Sequence, residues 1–326
     1  TSGMTEREQA PAGGPARTPR RWPIRVLQVV VAIGLLIAVW RGANGGEAVR
    51  LLQEADLVWL VVAVVLLSGQ IFVSAVRWRL TGARLGMAIP WSQAWREYYL
   101  SQVVNQSIPG GVIGDATRAV RSKDTAGLVP AAQSVILERL AGQLALLALL
   151  AGGLLVNSLN PTAPAWPDWL VTLLVVAGAA CVGSAIAGAL LARSTTSRAG
   201  RVVRDFSKAA RKSLLSREVR WQQLALSLGT ALLNIGGFWA CAMAVGVRLP
   251  YAQALAVIPL ILFMMVIPVS VSGWGLREGA AALLFPLVGF SSTEGFATSV
   301  AFGLVLIVIA LPGLFFLRPR HKRPSR

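Results

Sequence analysis

The segment Gly86-Met-Ala-Ile-Pro90-Trp-Ser-Gln93-Ala94 returns 160 residues later as Gly246-Val-Arg-Leu-Pro250-Tyr-Ala-Gln253-Ala254. At an offset of 159, Ile108-Pro109, Val112, Gly114 and Arg118 meet Ile267-Pro268, Val271, Gly273 and Arg277. Such self-similarity marks a chain built from repeated units; the alternative is a chance likeness between two apolar stretches that both contain Pro and Gly. Each copy sits in the same succession of an apolar span, a short loop, an interrupted apolar stretch and another span. The two halves cover about residues 57–156 and 221–317.

Composition limits what such a repeat can be. Of 326 residues, 55% are hydrophobic and 14% charged, and mean hydropathy is +0.63. Soluble domains carry roughly 25% charged residues, so a water-soluble enzyme is excluded. Disorder is excluded as well, because it needs low hydrophobicity. A polytopic helical membrane protein remains. The single histidine, His321, rules out His-based metal clusters and Ser-His-Asp catalysis. Cys181 and Cys241 lie in apolar runs. No metal and no cofactor is expected.

A spanning helix needs roughly 20 mostly apolar residues. Six stretches qualify: residues 23–40, 57–76, 131–156, 166–191, 221–246 and 295–317. The first could be a signal peptide, but Trp40-Arg41 follows it where a small-residue cleavage site would be needed. Two further stretches, residues 90–121 and 250–289, break at Ile108-Pro109-Gly110-Gly111 and at Ile267-Pro268 with Ser270, Ser272 and Gly273. Such breaks free backbone groups, which hydrocarbon tolerates only where protein or a water-filled cavity satisfies them. Both read as re-entrant hairpins.

The basic residues orient the chain. With a cytoplasmic N-terminus, all 31 Lys and Arg fall inside except Arg41, Arg50 and Arg248 outside and Arg139 and Arg277 within the membrane. Such a bias is what cytoplasmic loops carry, and it requires both interrupted stretches to leave on the side they enter. The hairpins then enter from opposite sides. The expected fold is therefore all-α, with six transmembrane helices and two re-entrant hairpins related as an inverted repeat, the plan many transporters use. Trp91, Trp95, Tyr98 and Tyr99 suggest a shallow first hairpin; the second carries no charge from Pro250 until Arg277 and should run deeper. Residues 1–22 read as a disordered basic tail, with 1–3 before Met4 resembling an expression scar, and residues 318–326 as a basic cytoplasmic tail. The net charge of +17 is thus mostly topology, and nucleic acid need not be invoked. Residues 193–220 read as an amphipathic helix on the inner leaflet.

Ionisable groups at membrane depth cost about 2.5–3.5 kcal/mol each on insertion scales. Three clusters sit there: Asp115 with Arg118, Glu138 with Arg139, and Arg277 with Glu278. Three acids balance three bases, so mutual pairing is one reading. The other is a polar cavity for an anionic headgroup, because arginine matches phosphate oxygens bidentately and helix N-termini favour anions. Asn105 and Ser272, beside the two breaks, complete the candidate set. Adjacent on a helix, Glu138 and Arg139 point about 100° apart, so they should not both face one small site, and one of them should pair with a neighbouring helix. Asp115 is also a candidate helix cap. Gln70, Gln143 and Asn234 read more simply as interhelical hydrogen bonds.

The run Val76-Arg77-Trp78-Arg79 resembles the lysylphosphatidylglycerol synthase transmembrane-region (flippase-like) family. So do Asn105-Gln106-Ser107-Ile108-Pro109-Gly110-Gly111 with Gly114-Asp115 and Arg118, and Ser134-Val135-Ile136-Leu137-Glu138-Arg139. Ile267-Pro268-Val269-Ser270 through Gly273-Trp274-Gly275-Leu276-Arg277-Glu278 carries the likeness into the second half. It covers about residues 23–317, and departs where Ser272 and Trp274 stand at a turn usually richer in glycine. The resemblance implies an inner-membrane protein that moves polar-headed lipids between leaflets. In larger relatives this region joins a soluble aminoacyl-transfer domain. Only nine residues follow Leu317, so translocation without lysyl transfer is expected. Stand-alone members are associated with phospholipids, glycolipids, hopanoids or polyprenyl-phosphate carriers.

Three functions stay open on the sequence. The first is a lipid flippase that binds an anionic headgroup and is not an enzyme. With no Gly-x-x-x-x-Gly-Lys-Ser/Thr loop present, its energy would come from a gradient or from lipid asymmetry. The second is a membrane-embedded transferase or hydrolase using Asp115, Glu138 or Glu278 as acid or base. The third is a scaffold for a lipid-biosynthesis enzyme.

Overall fold

A computed structural model describes residues 22–108, 113–159, 166–193, 198–267 and 272–317. The described residues form helices and no strands. The first are α1 (Trp22–Gly42), α2 (Gly45–Gln53), α3 (Leu57–Arg84), α4 (Trp91–Ser107), α5 (Ile113–Arg121) and α6 (Lys123–Ala126). Then come α7 (Leu128–Ser158), α8 (Asp168–Arg193), α9 (Arg198–Ala210) and α10 (Arg220–Ala244). The last are α11 (Tyr251–Phe263), α12 (Leu276–Leu284) and α13 (Ser292–Ala310), which a 3-10 turn extends to Leu317.

Among the described residues four helices are long and apolar enough to cross a membrane: α3, α7, α10, and α13 with its extension. The 28 residues of α3 rise about 42 Å, more than the roughly 30 Å hydrocarbon core. Asp56 starts α3 by accepting the Val58 N–H at 2.8 Å. One stripe of α3, Val58, Val61, Val65 and Phe72, faces outward, while Ala63, Leu67, Ile71 and Trp78 face the core. Apolar residues on both faces are the mark of a helix with lipid on one side and protein on the other. The chain is a multi-pass membrane protein.

Several boundaries differ from those expected. The stretch expected at 57–76 continues to Arg84, so Arg77 and Trp78 are buried in a helix and not placed in a loop. The stretch expected at 23–40 meets α2 at an angle of 89°, which makes α1 and α2 a bent pair. Helix α8 runs from Asp168 to Arg193, two residues later at each end than the stretch expected at 166–191.

The two copies of the repeated segment have the same local geometry. After α3, Gly86 takes φ +86°, the Met87 N–H reaches the Gly82 carbonyl at 2.9 Å, and Pro90 begins α4 in extended backbone. After α10, Gly246 takes φ +86°, the Val247 N–H reaches the Ala242 carbonyl at 2.9 Å, and Pro250 begins α11. Only glycine reaches that φ without steric cost. Each turn is also tied by a side chain from the same repeat position. Arg79 Nε donates to the Ile89 carbonyl at 2.8 Å, and Trp239 Nε1 donates to the Leu249 carbonyl at 2.8 Å.

The packing is reciprocal as well. Helices α3 and α10, which precede the two turns, form the largest helix contact. Arm α11 packs on α7, while α4 packs on α13 and its extension; α5 packs on α7, and α12 on α13. A Cβ at Gly153 would lie 2.5 Å from the backbone of Leu255, so glycine lets α7 and α11 approach closely. Arm α11 is the more enclosed, with Ala256, Val257, Ile258 and Ile261 fully buried, whereas Trp91 at the start of α4 is exposed. Pro109-Gly110-Gly111 and residues 268–271, where both hairpin breaks were expected, lie outside the described residues.

Candidate functional site

Side chains from α3, α4, α5, α7 and α10 enclose a cavity of about 230 Å³. Gln70 on α3, Thr230 and Asn234 on α10, and Gln143 on α7 border it, all well inside their helices. Its far wall is Met265, Val266, Phe302 and Leu306.

The polar wall starts with a stripe on α3. Gln70, Ser74, Arg77 and Thr81 recur at helical spacing, which puts them on one face. Ser74, Arg77 and Thr81 are buried. Arg77 Nη2 donates to Glu138 Oε1 across to α7 at 3.3 Å. The other oxygen of Glu138 receives Arg118 Nη2 at 2.8 Å, and Tyr98 Oη bonds the same carboxylate. Arg118 is 1% exposed. Its guanidinium lies 4.8 Å from the Trp78 ring and 4.4 Å from the Tyr98 ring, a cation–π arrangement that offsets part of its desolvation. Glu138 is thus the hub of an ion cluster spanning α3, α4, α5 and α7.

Asp115 forms a second node. Ser101 Oγ donates to it at 3.2 Å, Arg118 approaches at 3.4 Å, and Arg139 pairs with its other oxygen. Asp115 therefore serves as an ion-pair partner, with Asn105 holding the start of α5 in its place: Asn105 Oδ1 accepts the Gly114 N–H at 2.8 Å. Glu138 and Arg139 both border the cavity despite their angular separation. Asp115 reaches round from α5 to meet Arg139, so the helical-wheel argument against a shared site fails.

Of the eight residues singled out, Asn105, Asp115, Arg118, Glu138, Arg139 and Ser272 line the cavity. Arg277 and Glu278 do not. Both are fully buried. Arg277 Nη2 meets Glu278 Oε1 at 2.5 Å, Arg277 Nε meets Ser299 Oγ at 2.9 Å, and Trp274 and Phe302 flank the guanidinium at 5.3 Å each. Glu278 Oε2 accepts the Gly275 N–H at 2.6 Å, tying the turn to α12. Equivalent in the repeat, Arg118 and Arg277 thus sit in different settings, one at the cavity and one sealed behind Phe302 and Met265.

Arg77, Tyr98, Ser101, Gln102 and Gln106 also line the cavity and were not singled out. Arg77 was legible in the Gln70-Ser74-Arg77-Thr81 stripe, but its basic charge read as a loop marker. Gln70 Nε2 donates to Ser74 Oγ at 3.1 Å within its own helix, so it is not an interhelical bond. Among the described residues no group of His, Cys, Asp and Glu is arranged to hold a metal ion.

Several donors and acceptors in this wall have no hydrogen-bond partner. Arg77 Nε and Nη1, Arg118 Nε and Nη1, Gln106 Oε1, Gln143 Oε1 and Asp115 Oδ2, which is ion-paired to Arg139, are buried without a hydrogen bond. Buried polar atoms are normally satisfied, and each exception calls for an explanation. A cavity bordered by two arginines that keep unsatisfied N–H groups is chemically suited to an anion.

No curated protein and no solved structure matches the chain. A sequence model described as the lysylphosphatidylglycerol synthase TM region matches residues 25–313, and the chain belongs to that family.

Proposed function

We propose that this protein is a lipid transporter of the flippase type that carries an anionic-headgroup lipid between the leaflets of the inner membrane and performs no covalent chemistry. The observation that carries the proposal is the pair of buried arginines, Arg77 and Arg118, whose Nε and Nη1 groups lack partners at a cavity among membrane-spanning helices. A lipid phosphate entering that cavity satisfies them with charge-assisted hydrogen bonds. Membership of a family concerned with a lipid synthase's membrane region supports a lipid as the occupant. The candidate set is Asn105, Asp115, Arg118, Glu138, Arg139, Ser272, Arg277 and Glu278, with Arg77 added by its position. Within this reading Arg118 and Arg77 contact the phosphate, Glu138 and Asp115 keep the empty cavity neutral enough to persist, and Arg277 with Glu278 braces the second half.

The architecture proposed with it has six spans and two re-entrant hairpins related as an inverted repeat, with both termini cytoplasmic. The matching Gly86 and Gly246 turns and the reciprocal packing of α11 on α7 and α4 on α13 support it. A lipid-biosynthesis enzyme is a fitting partner, supplying the lipid to be moved.

The test is movement of fluorescent anionic lipid in vesicles holding the purified protein. Arg118→Ala should slow it at least about tenfold, since truncating one partner of a buried charge pair typically costs 2–5 kcal/mol; Arg118→Lys, which keeps the charge, should fall between. Rates unchanged in both Arg118→Ala and Arg77→Ala would overturn the proposal, and lipid modification by the protein in detergent, where no leaflets exist, would replace it with catalysis.

A further inference from the structure

Arg77 and Arg79 flank Trp78 on α3. A helix turns each residue by about 100°, so the two arginines leave α3 on nearly opposite sides. Arg77 borders the central cavity. Arg79 borders a second, separate groove of about 540 Å³, formed with Val76, Leu80 and Ala83 of α3 and with Ile89 and Pro90 of the turn before α4. We propose that this groove binds a phospholipid of the surrounding membrane as a resident ligand, with the lipid phosphate on Arg79 and one acyl chain along the apolar walls.

The groove lies where such a lipid is found. Phe72, Val76, Arg79 and Ala83 recur at helical spacing and continue the outward stripe of Val58, Val61 and Val65, so the groove opens on the face of α3 that lipid covers. Arg79 stands about 33 Å along α3 from Leu57. The hydrocarbon core is roughly 30 Å thick, which puts the guanidinium at headgroup depth. Beside it the exposed Trp91 stacks on Phe72, with ring centroids 6.1 Å apart, and tryptophan is enriched at that level of the bilayer.

The chemistry fits a phosphate above a chain. Arg79 Nε donates to the Ile89 carbonyl at 2.8 Å, and the guanidinium lies 4.0 Å from the Trp91 ring, so its plane is fixed. Among the described residues no ion pair occupies its Nη groups, whereas Arg84 further along the helix meets Glu218 at 2.5 Å. That free fork matches phosphate oxygens. Apolar walls with one placed polar group are typical of ligand sites.

The repeat shows that the turn itself does not need the charge. Trp239 holds the position of Arg79 and ties the second turn through the Leu249 carbonyl. It packs on Tyr251, which holds the position of Trp91, at 5.1 Å. A neutral indole suffices there, and the basic residue of that turn, Arg248, matches Ala88 and is exposed. The cation at Arg79 is therefore left for a ligand.

Photo-crosslinking tests the site apart from transport. The purified protein in detergent micelles is irradiated with phosphatidylglycerol carrying a diazirine in one acyl chain, and the label is mapped by peptide mass spectrometry. Arg79→Gln places an amide nitrogen where Nε stands, keeping the tie to Ile89 while removing the Nη groups. Ala83→Phe fills the groove from an exposed position and keeps Arg79. Label should fall on residues 76–91, and Arg79→Gln should raise the half-saturating lipid concentration about tenfold, as loss of one charge-assisted hydrogen bond does. Ala83→Phe should weaken labelling by a comparable factor, and Arg118→Ala should leave it within about twofold, because the sites are independent. Diacylglycerol with the same diazirine, which lacks the phosphate, should label more weakly and be indifferent to Arg79→Gln. Glycerol 3-phosphate, which lacks the chains, should not compete. No label on residues 76–91, labelling unchanged in either groove variant, or equally tight labelling by diacylglycerol overturns the proposal. So does competition by glycerol 3-phosphate, which marks an anion site without lipid, or an equal loss in Arg118→Ala, which marks an extension of the central cavity.

Discussion

Replacing Glu138 with Gln removes the charge shared by Arg77 and Arg118 while leaving the side chain's shape intact. All three groups are buried, with side chains 5%, 4% and 1% exposed, so water cannot substitute for the lost carboxylate. Removing one member of a buried ion pair costs about 3–5 kcal/mol. Two arginines lose their partner here, which argues for the upper part of that range. Asp115 remains 3.4 Å from Arg118 and the Trp78 and Tyr98 rings still flank it, which argues for the lower part. We expect about 3–4 kcal/mol. At about 2.1 cal/mol/K per residue the unfolding entropy of 326 residues is about 0.7 kcal/mol/K, so this loss lowers Tm by about 4–6 °C. Tryptophan fluorescence during heating in detergent measures it. The double variant Glu138→Gln with Arg77→Met, which removes one of the orphaned charges, should recover about a third or more of the loss, because neighbours in one network are not additive. If Glu138→Gln melts within about 2 °C of the parent, the cluster does not compensate its own charges and the account of the cavity wall is wrong.

Ser272 sits at φ +50°, a left-handed conformation that costs a residue with a Cβ about 1–2 kcal/mol. Ser272→Gly should therefore raise thermal stability by about 1 kcal/mol, and a lowered melting temperature would contradict the strain. A Cβ on Gly303 would come within 2.5 Å of Arg277 Nη2 and 2.7 Å of Trp274. Gly303→Ala should cost about 1–3 kcal/mol by overpacking, seen as a lower melting temperature, while Gly34→Ala, where a Cβ meets nothing within 4 Å, should be neutral or better. Asn105→Ala should loosen the start of α5 by about 1 kcal/mol and slow lipid movement. Asn105→Asp keeps the acceptor and should restore stability; equal stability of all three proteins would show that the Gly114 N–H contact does not matter.

The membrane-embedded, all-helical character and the repeated turns were legible in the sequence because they rest on local physics. Hydropathy over about 20 residues marks a span, and Gly86-x-x-x-Pro90 and Gly246-x-x-x-Pro250 each force a positive φ and then an extended start to the next helix. The charged positions were legible for a related reason, since charges in apolar runs stand out. Asp115, Arg118, Glu138 and Arg139 do meet at one cavity. Arg77 was misplaced because its basic charge is the same signal that marks a cytoplasmic loop. The helix-wheel objection to Glu138 and Arg139 failed because it considered α7 alone and not the helix that reaches across to it.

What the residues determined unaided is which stretches must leave water and where the chain must bend. Those properties depend on neighbours a few positions away. What only tertiary packing decided is which buried arginine borders the cavity and which stands apart from it. Arg118 and Arg277 occupy equivalent places in the repeat, yet Trp78 and Tyr98 leave one at the cavity wall while Phe302, Trp274 and Ser299 enclose the other. That difference is set by side chains arriving from helices distant in the sequence, and no local pattern encodes which of them will meet.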